Sequence, residues 1–460
     1  MKIAQIYTGC LAQGAYYIES AGEVAIIDPL REVNSYIEKA KRNNATIKYI
    51  FETHFHADFV SGHLELSQKT NAPIIYGPKA NPTFEATIAT DNQVFKLGNI
   101  TIQILHTPGH TMESSCFLLF DENGKANALF SGDTLFIGDV GRPDLAQNGT
   151  LTMTDLAGHL YDSLTQKIIP LPDDIIVYPA HGAGSACGKN MSKETFDLLG
   201  HQKRVNYALQ PQTKEQFIIA VTDGLTPPPF YFPKNAMLNK TGIQSVEGVM
   251  KQGLTPLSPE DFEALANSVD ALVIDTRNPQ IFKEGFIPRS IFIGIDGDFA
   301  PWVGTLVTDI QQEILLVSEE GREEEVVKRL ARVGYDNVLG YLQGGIKAWV
   351  SAGKELDSIE SISADEFAEI YKNDKHLIIK DVRKTVQFET GHINEADNIP
   401  LAQISELMSE FDKKGTNYIH CAGGYRSMAA SSILKSRGYD NVVDIQGGFG
   451  AITKTGVLEN

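Results

Sequence analysis

The sequence predicts an α/β protein built from several domains, and three observations support this fold class. The chain has 460 residues, about three times the usual length of one domain. Short apolar runs alternate with helical patterns through residues 1–240, as expected of sheets covered by helices. The rest of the chain contains one pattern twice, so we expect two related domains over residues 255–353 and 358–456.

A cluster of potential metal ligands follows the apolar run at 49–51, which predicts a buried strand. His54, His56 and Asp58 alternate directly after this run. Because alternate side chains of an extended segment point the same way, these three groups can converge on one point. Two imidazoles and a carboxylate suit a first-row metal. The alternative is three polar residues on a solvated turn.

Three later strand-like runs end in the same way. His110 follows one run, Asp133 follows the next, and His181 follows the last. Gly or Pro lies beside each of them and indicates a turn, which is where α/β folds build their sites. The sequence therefore predicts a metal site assembled from four strand ends.

The second half of the chain repeats at an offset of about a hundred residues. Asp275–Arg277 recurs as Asp381–Arg383, and Gly334–Val338 recurs as Gly438–Val442. Strand and helix patterns alternate in both copies. Such alternation predicts parallel sheets with helices on both faces.

A cysteine loop marks the second copy. An apolar strand pattern over 417–420 runs into Cys421, and we expect a helix from Ser427 to Lys435. The six-residue loop consists of Cys421, Ala422, Gly423, Gly424, Tyr425 and Arg426. Backbone N–H groups of such a loop and the helix N-terminus can stabilise a thiolate, and Arg426 adds a cation that would attract an anion. The alternative for Cys421 is a buried small apolar residue.

The first copy lacks this loop chemistry. Aligned on the repeat, Val317 lies opposite Cys421 and Arg322 lies opposite Arg426. Glu319 and Glu320 replace the small residues between them. Without a thiol, and with carboxylates that repel a persulfide, this copy is expected to be catalytically inactive.

Composition limits the classes of partner. The net charge of −18 argues against general binding of nucleic acid or of anionic membranes, and no apolar run approaches the roughly 20 residues of a membrane span. The four cysteines lie far apart, which indicates neither a disulfide framework nor a Cys-x-x-Cys zinc site. The first residues enter a strand pattern without a leader signature. We expect a cytoplasmic protein, and we also expect a homo-oligomer.

The motifs resemble those of known families. His-Phe-His-Ala-Asp at 54–58, Thr-Pro-Gly-His at 107–110, Ser-Gly-Asp-Thr at 131–134 and Pro-Ala-His-Gly at 179–182 resemble the glyoxalase II and persulfide dioxygenase branch of the metallo-β-lactamase superfamily. The repeated half resembles rhodanese domains. The resemblance implies an αββα sandwich of the metallo-β-lactamase type followed by two rhodanese-like α/β domains with parallel sheets.

One departure affects the metal count. Phe59 stands where glyoxalase II has the final histidine of its His-x-His-x-Asp-His motif. A second metal site therefore lacks a ligand. The sequence favours a single metal over a dinuclear hydrolase site.

The whole chain resembles persulfide dioxygenase–rhodanese fusions. The resemblance implies one Fe(II) per chain, held by His54, His110 and Asp133, with His56 and Asp58 as orienting groups. It implies oxidation of a low-molecular-weight thiol persulfide by O₂ to sulfite. Cys421 would then transfer sulfur from a second persulfide to sulfite, which gives thiosulfate.

Several roles stay open at this point. His56 would be a fourth ligand if the metal were zinc. His181, Arg142 and Cys187 are candidates for orienting ligands or binding substrate, while an ordinary salt bridge for Arg142 and an inert residue in a tight loop for Cys187 are equal alternatives. In the substrate-binding alternative, the Gly-rich context of Cys187 and the nearby Lys189 would lower its pKa.

Two other functions compete with the dioxygenase interpretation. One is a zinc-dependent thioester hydrolase of glyoxalase II type, with rhodanese domains as interaction modules. The other is a non-catalytic sulfur carrier or sensor. Phe59 argues against the hydrolase, and an intact cysteine loop beside an intact metal constellation argues against the carrier.

Overall fold

A computed structural model describes residues 1–147, 150–374 and 376–459. The chain forms two compact units. The first comprises Met1–Val246 together with Ala331–Gly334, and the second comprises the other described residues. Within the described ranges, no helix is both long and apolar enough to span a membrane.

The first unit contains two six-stranded sheets, each with its strands in chain order. The strands of the first sheet are β1 Lys2–Thr8, β2 Gln13–Ser20, β3 Glu23–Ile27, β4 Thr46–Glu52, β5 Ile74–Tyr76 and β6 Thr87–Ile88. Those of the second are β7 Val94–Leu97, β8 Ile100–His106, β9 Ser115–Phe120, β10 Ala126–Gly132, β11 Ile176–Pro179 and β12 Asp197–Leu198. The strands from β3 to β6 run parallel, as do β10 and β11.

Six α-helices accompany these sheets in the described part of the unit. They are α1 Asn34–Arg42, α2 His63–Thr70, α3 Met153–Ser163, α4 Leu199–Val205, α5 Lys214–Thr222 and α6 Phe232–Thr241. Thr152 caps α3 and Thr213 caps α5, each by a reciprocal capping box with the residue three positions on.

Successive side chains of each strand point to opposite faces of its sheet, so the two sheets pack on each other and helices cover their outer faces, which gives four layers. Ile18 and Ala25 are paired across β2 and β3 and pack between the sheets, where Phe130 of the second sheet joins them. Their neighbours Tyr17 and Ile26 point the other way, into the core beneath α1. The outer face of the second sheet packs on residues of α3 and α5 in the same manner. The predicted αββα sandwich is confirmed.

The second unit contains two five-stranded parallel sheets with the same strand order, β13-β17-β16-β14-β15 and β18-β22-β21-β19-β20. The first sheet has β13 Pro256–Leu257, β14 Leu272–Asp275, β15 Ile291–Phe292, β16 Ile314–Val317 and β17 Val338–Leu342. The second has β18 Glu360–Ile362, β19 Ile378–Asp381, β20 Asp397–Asn398, β21 Asn417–His420 and β22 Val442–Ile445. Identical topology confirms the repeat.

Helices lie between the strands of both sheets. Those of the middle copy are α7 Val246–Gly253, α8 Pro259–Val269, α9 Pro279–Phe282, α10 Phe299–Leu306, α11 Glu323–Arg332 and α12 Gly345–Ser351. Those of the C-terminal copy are α13 Ala364–Asn373, α14 Thr385–Glu389, α15 Tyr425–Ser436 and α16 Gly448–Ile452.

The sheet register corrects the alignment of the two copies. Asp381 pairs with His420 across β19 and β21, and the equivalent Asp275 pairs with Val317 across β14 and β16. Val317 is therefore the counterpart of His420, and Ser318 rather than Val317 follows the strand where Cys421 does. The expectation that the middle copy has no thiol there holds, because serine has none.

Truncation of a side chain between the two sheets tests the layer arrangement. Phe130 is fully buried, so Phe130→Ala should lower the free energy of unfolding of the first unit by about 3 kcal/mol or more. The control Val94→Ala lies on the same sheet at a side chain that is 55% exposed and should change it by less than about 0.5 kcal/mol. Urea denaturation of the full chain measures both. Equal midpoints for the two variants would contradict the assigned core.

Candidate functional site

Three strand ends bring His54, His110 and Asp133 together in the first unit. All three side chains are buried, and one ligand atom of each lies within 4.8 Å of the others. Nε2 of His110 is 3.4 Å from Asp133 Oδ2, and Nε2 of His54 is 3.8 Å from the same oxygen. Ligand atoms on one metal at about 2.1 Å are roughly 3 to 3.5 Å apart, so small inward movements would complete a site.

Hydrogen bonds orient both histidines. Thr53 Oγ1 donates to Asp28 Oδ2 at 2.9 Å, so it accepts from His54 Nδ1 at 3.0 Å. His110 Nδ1 donates to the backbone carbonyl of Arg142 at 2.9 Å. With both Nδ1 atoms protonated, both Nε2 atoms carry the lone pair and face the same carboxylate. Burial, and next the neighbouring His56, lower the pKa of His54 well below its usual value, which favours the neutral form that binds metals.

The two carboxylate oxygens of Asp133 differ in their hydrogen-bond partners. Oδ1 accepts a hydrogen bond from His181 Nδ1 at 2.7 Å. Oδ2 is buried and has no hydrogen-bond partner among the described residues. An unpaired buried carboxylate oxygen is costly, and a cation between Oδ2 and the two Nε2 atoms would satisfy all three groups. The residues present therefore fit a metal cofactor.

Glycine is required immediately before this carboxylate. Gly132 ends β10 with a φ of +54°, in the left-handed region. A Cβ atom there would lie 2.7 Å from Cβ of Thr53, which is too close. The turn that directs Asp133 toward His54 and His110 therefore depends on glycine.

A second group of residues lies beside the first. His56, Asp58 and His181 also offer ligand atoms within 4.8 Å of one another. However, His181 Nε2 lies 2.8 Å from Asp58 Oδ2, while its Nδ1 is bonded to Asp133. Burial opposes protonation of His181, but the charges of Asp133 and Asp58 outweigh it and raise its pKa well above the usual value. His181 thus bridges two carboxylates.

Phe59 closes this second group with an apolar wall. Its side chain is fully buried, and its ring centroid lies 4.4 Å from that of His56 and 6.4 Å from that of His181. A phenyl ring has no lone pair to offer a metal. Nε2 of His56 faces away toward Asp28, at 3.1 Å from Oδ1.

The structure assigns a structural role to Arg142. Its guanidinium binds both carboxylate oxygens of Asp144 at 2.6 Å and the carbonyl oxygens of Ala186 and Thr226. The side chain is buried and fully engaged, which is the salt-bridge alternative. Arg142 contributes to the candidate metal site through its backbone carbonyl, which accepts a hydrogen bond from His110 and orients that ring.

Cys187 lies beside the candidate metal ligands, in surroundings that favour the inert alternative. Its sulfur lies within 4.8 Å of ligand atoms of Asp133 and His181. Burial, followed by the charges of Asp58 and Asp133, raises the pKa of Cys187 well above its usual value. Lys189 Nζ donates to the carbonyls of Ala220 and Asp223. The surroundings of Cys187 therefore favour the protonated thiol.

Sequence reasoning missed the polar layer behind the ligands. Asp28 accepts from both the backbone N–H and the hydroxyl of Thr53 and so fixes the turn that carries His54. Glu52, buried beside it, bonds with the hydroxyl of Ser61, and its pKa is raised well above the usual value by burial. The available signal was that Asp28 follows β3, the parallel neighbour of β4.

The cysteine loop of the second unit is shorter than expected. Helix α15 begins at Tyr425 rather than Ser427, so only Cys421, Ala422, Gly423 and Gly424 separate it from β21. The N–H of Gly424 donates to Cys421 Sγ at 3.1 Å, and Gly424 has a φ of +108°. The sulfur is thus held against a backbone donor at the start of a 12-residue helix, as the sequence predicts.

Cations lie around this loop. Arg426 is partly exposed and donates to Gln387 Oε1 at 2.9 Å. Arg383 forms a buried bidentate pair with Asp381, and its guanidinium lies 3.8 Å from the ring centre of Phe449. Phe449 N donates to the carbonyl of Cys421 at 2.6 Å. Of these two arginines, Arg426 is the more exposed one.

Comparison with known proteins identifies relatives of both units. Residues 8–181 match the family model of the metallo-beta-lactamase superfamily, and residues 258–352 and 363–455 match that of the rhodanese-like domain. A solved metallo-beta-lactamase from Staphylococcus aureus subsp. aureus COL is similar with 31% identity and a TM-score of 0.66, covering 74% of this chain and 98% of that one.

Curated relatives cover a smaller part of the chain. A cytoplasmic hydroxyacylglutathione hydrolase of Arabidopsis thaliana is 32% identical over 39% of this chain and 67% of its own length. The hydroxyacylglutathione hydrolase of Tolumonas auensis is 34% identical over 36% of this chain and 60% of its own length. The chain spans about 60% of the length of the first curated relatives it matches.

Loss of an orienting hydrogen bond should weaken metal binding without removing a ligand. Thr53→Val deletes the hydroxyl that accepts from His54 Nδ1, so metal affinity should fall by about 10- to 100-fold. The control Thr46→Val changes an exposed residue of β4, the strand that Thr53 follows, and should have no effect. Metal content after equilibration with a competing chelator measures both. Equal retention in the two variants would show that Thr53 does not orient His54.

Proposed function

We propose that this chain, which belongs to the metallo-β-lactamase superfamily and also carries two rhodanese-like domains, is an iron-dependent persulfide dioxygenase with thiosulfate-forming sulfurtransferase activity. In the first reaction, RSSH, O₂ and water give RSH, sulfite and two protons. In the second, another RSSH passes its outer sulfur to sulfite, which gives RSH and thiosulfate. RSSH is a low-molecular-weight thiol persulfide.

The observation that carries this proposal is the convergence of two His and one Asp on a carboxylate oxygen that has no hydrogen-bond partner among the described residues. Nε2 of His54, Nε2 of His110 and Oδ2 of Asp133 face a common point. His181 and Asp58 form an ion pair, with Nε2 lying 2.8 Å from Oδ2. Two histidines and one carboxylate form the facial triad typical of non-haem Fe(II) oxygenases, which leaves coordination positions for O₂ and substrate.

The chain's own residues keep this triad in position. When bound, ferrous iron would supply the open positions and the electrons for O₂ chemistry. Thr53 and the Arg142 carbonyl fix the rings of the two histidines. His181 donates to Oδ1 of Asp133, so Oδ2 is the oxygen that would remain for a metal. Burial of all three ligands limits access of bulk water.

Sulfur transfer is assigned to Cys421. Its thiolate attacks the outer sulfur of RSSH, the S–S bond breaks, and RSH leaves with the proton. Sulfite then attacks the outer sulfur of the Cys421 persulfide, thiosulfate leaves, and the Cys421 thiolate is regenerated. The N–H of Gly424 stabilises the anionic sulfur, and Arg426 supplies positive charge for sulfite.

The curated relatives favour a second candidate, a zinc-dependent thioester hydrolase with rhodanese-like domains as interaction modules. Several of them are named hydroxyacylglutathione hydrolases. The dinuclear hydrolase motif, however, needs a nitrogen ligand where this chain has Phe59. The buried phenyl ring makes the single-metal proposal the better supported one.

Metal content and O₂ uptake separate the two candidates. The wild-type chain, purified without oxygen, should hold about one iron, and a thiol persulfide should trigger O₂ uptake. Phe59→His restores the missing nitrogen. When metal-free protein is loaded with zinc, this variant should bind about two ions per chain where the wild type binds about one. Phe55→His, a matched change four residues earlier, should leave this number at about one. Stoichiometric zinc with thioester hydrolysis and no O₂ uptake would overturn the proposal.

Product analysis tests the division of labour. Cys421→Ser replaces the thiol by an alcohol that cannot carry sulfur, so it should consume persulfide and O₂ but release sulfite in place of thiosulfate. Ser318→Ala, at the matching position of the middle copy, should make thiosulfate at the wild-type rate. Chromatography of the sulfur products gives the answer. A Cys421→Ser enzyme with undiminished thiosulfate formation would refute the assignment.

A further inference from the structure

The middle rhodanese-like copy contacts the cysteine loop of the C-terminal copy. Tyr425, the first residue of α15, donates a hydrogen bond from its hydroxyl to the carbonyl of Gly294 at 2.8 Å. Its ring also packs edge-on against Phe292, with the ring centroids 5.3 Å apart. Phe292 N in turn donates to Ser432 Oγ of the same helix at 2.9 Å. The inactive copy therefore binds the helix that begins at the reactive loop.

Two glycines of the middle copy form the seat of the Tyr425 ring. A Cβ atom at Gly297 would lie 2.5 Å from Tyr425 Cε2, and one at Gly294 would lie 2.7 Å from Phe292 Cζ and 3.1 Å from Tyr425 Cε2. At Gly297 all three nearest atoms belong to this ring. Neither glycine has a φ in the left-handed region, so glycine is needed because aromatic rings approach closely and not because of backbone strain. The approaching ring is that of Tyr425 at Gly297, and those of Phe292 and Tyr425 at Gly294.

Arginines of the middle copy hold this glycine turn in place. Arg322 forms a two-pronged ion pair with Asp296, at 2.8 and 2.9 Å. Arg329 donates to the carbonyl of Ile295 at 2.6 Å. Arg322 is the residue that the repeat aligns with Arg426. In the copy without a thiol, this arginine is therefore paired with the turn that seats Tyr425.

Fixing Tyr425 also fixes the donor to the sulfur. Tyr425 directly follows Gly424, whose N–H points at Cys421 Sγ. Burial, and next the charges of Asp298 and Asp296, raise the pKa of Tyr425 well above its usual value, so the hydroxyl stays a donor. A shift of the Tyr425 side chain would move the first turn of α15 and with it the Gly424 amide.

We propose that Tyr425 is a positioning residue for Cys421, and that the middle copy acts on sulfur transfer by seating Tyr425 in its Gly294–Gly297 turn. This inference rests on the proposed role of Cys421. Positioning of Tyr425 is a function that the middle copy can perform without a thiol. The glycines and Arg322 of that copy support a loop that belongs to the other.

Filling the seat tests the proposal in the full-length chain. Gly297→Ala should lower kcat for thiosulfate formation about tenfold, because small displacements of reacting groups are costly, and leave KM for sulfite within about twofold. Alkylation of Cys421 by iodoacetamide, followed by mass spectrometry, should slow by a similar factor. O₂ uptake should stay at the wild-type rate. Gly248→Ala, where a Cβ meets nothing within 4 Å, is the matched control and should match wild type in all readouts.

A double variant shows whether the effect passes through Tyr425. Tyr425→Phe keeps the ring but loses the hydrogen bond and should lose less activity than Tyr425→Ala. Adding Gly297→Ala to Tyr425→Ala should cost nothing more, because the clash needs the ring. Additive losses, or a Gly297→Ala enzyme with wild-type kcat and alkylation, would overturn the inference. If wild type itself formed no thiosulfate, the proposed function would fail, and the alkylation rates would still decide the position of the loop.

Discussion

The first unit depends on one buried carboxylate. Asp133 receives a hydrogen bond from His181 on one oxygen and presents the other to His54 and His110. Each partner is delivered by a different strand, so the carboxylate joins the ends of β4, β8, β10 and β11 at one point. A buried charge needs this many partners to be tolerated. Oδ2 has no hydrogen-bond partner among the described residues, so a cation bound there would complete the set of partners that the buried charge needs.

A different buried pair organises the second unit, and it does so twice. Asp275 and Arg277 form a bidentate ion pair whose guanidinium also reaches the carbonyl of Gly285. Asp381 and Arg383 repeat these bonds in the C-terminal copy. The Asp-x-Arg motif is thus part of the scaffold in both copies. The copies differ in the loop that follows the central strand, which begins at Ser318 in one and at Cys421 in the other.

Local sequence signals were misleading at the loops. Alignment on the repeated segments Gly334–Val338 and Gly438–Val442 predicted that Val317 lies opposite Cys421. The strand pairing places Ser318 there instead. The loop of the middle copy differs in length by one residue, and such a gap leaves no trace in the matched residues that follow it. The start of α15 at Tyr425 was missed for a similar reason, because the glycines that suggested a loop also permit the +108° φ of Gly424 at its N-cap.

The sequence by itself determined the fold class, the repeat and the residues that meet at the metal cluster and the cysteine loop. These follow from periodicity and from residue types after strands, which are local properties. Only the tertiary structure decided which nitrogen of His54 is free, that Arg142 is paired with Asp144, and that the pKa of Cys187 is raised rather than lowered. Each of these depends on partners from distant segments and on burial, because hydrogen bonding and desolvation are set by packing and not by neighbours along the chain.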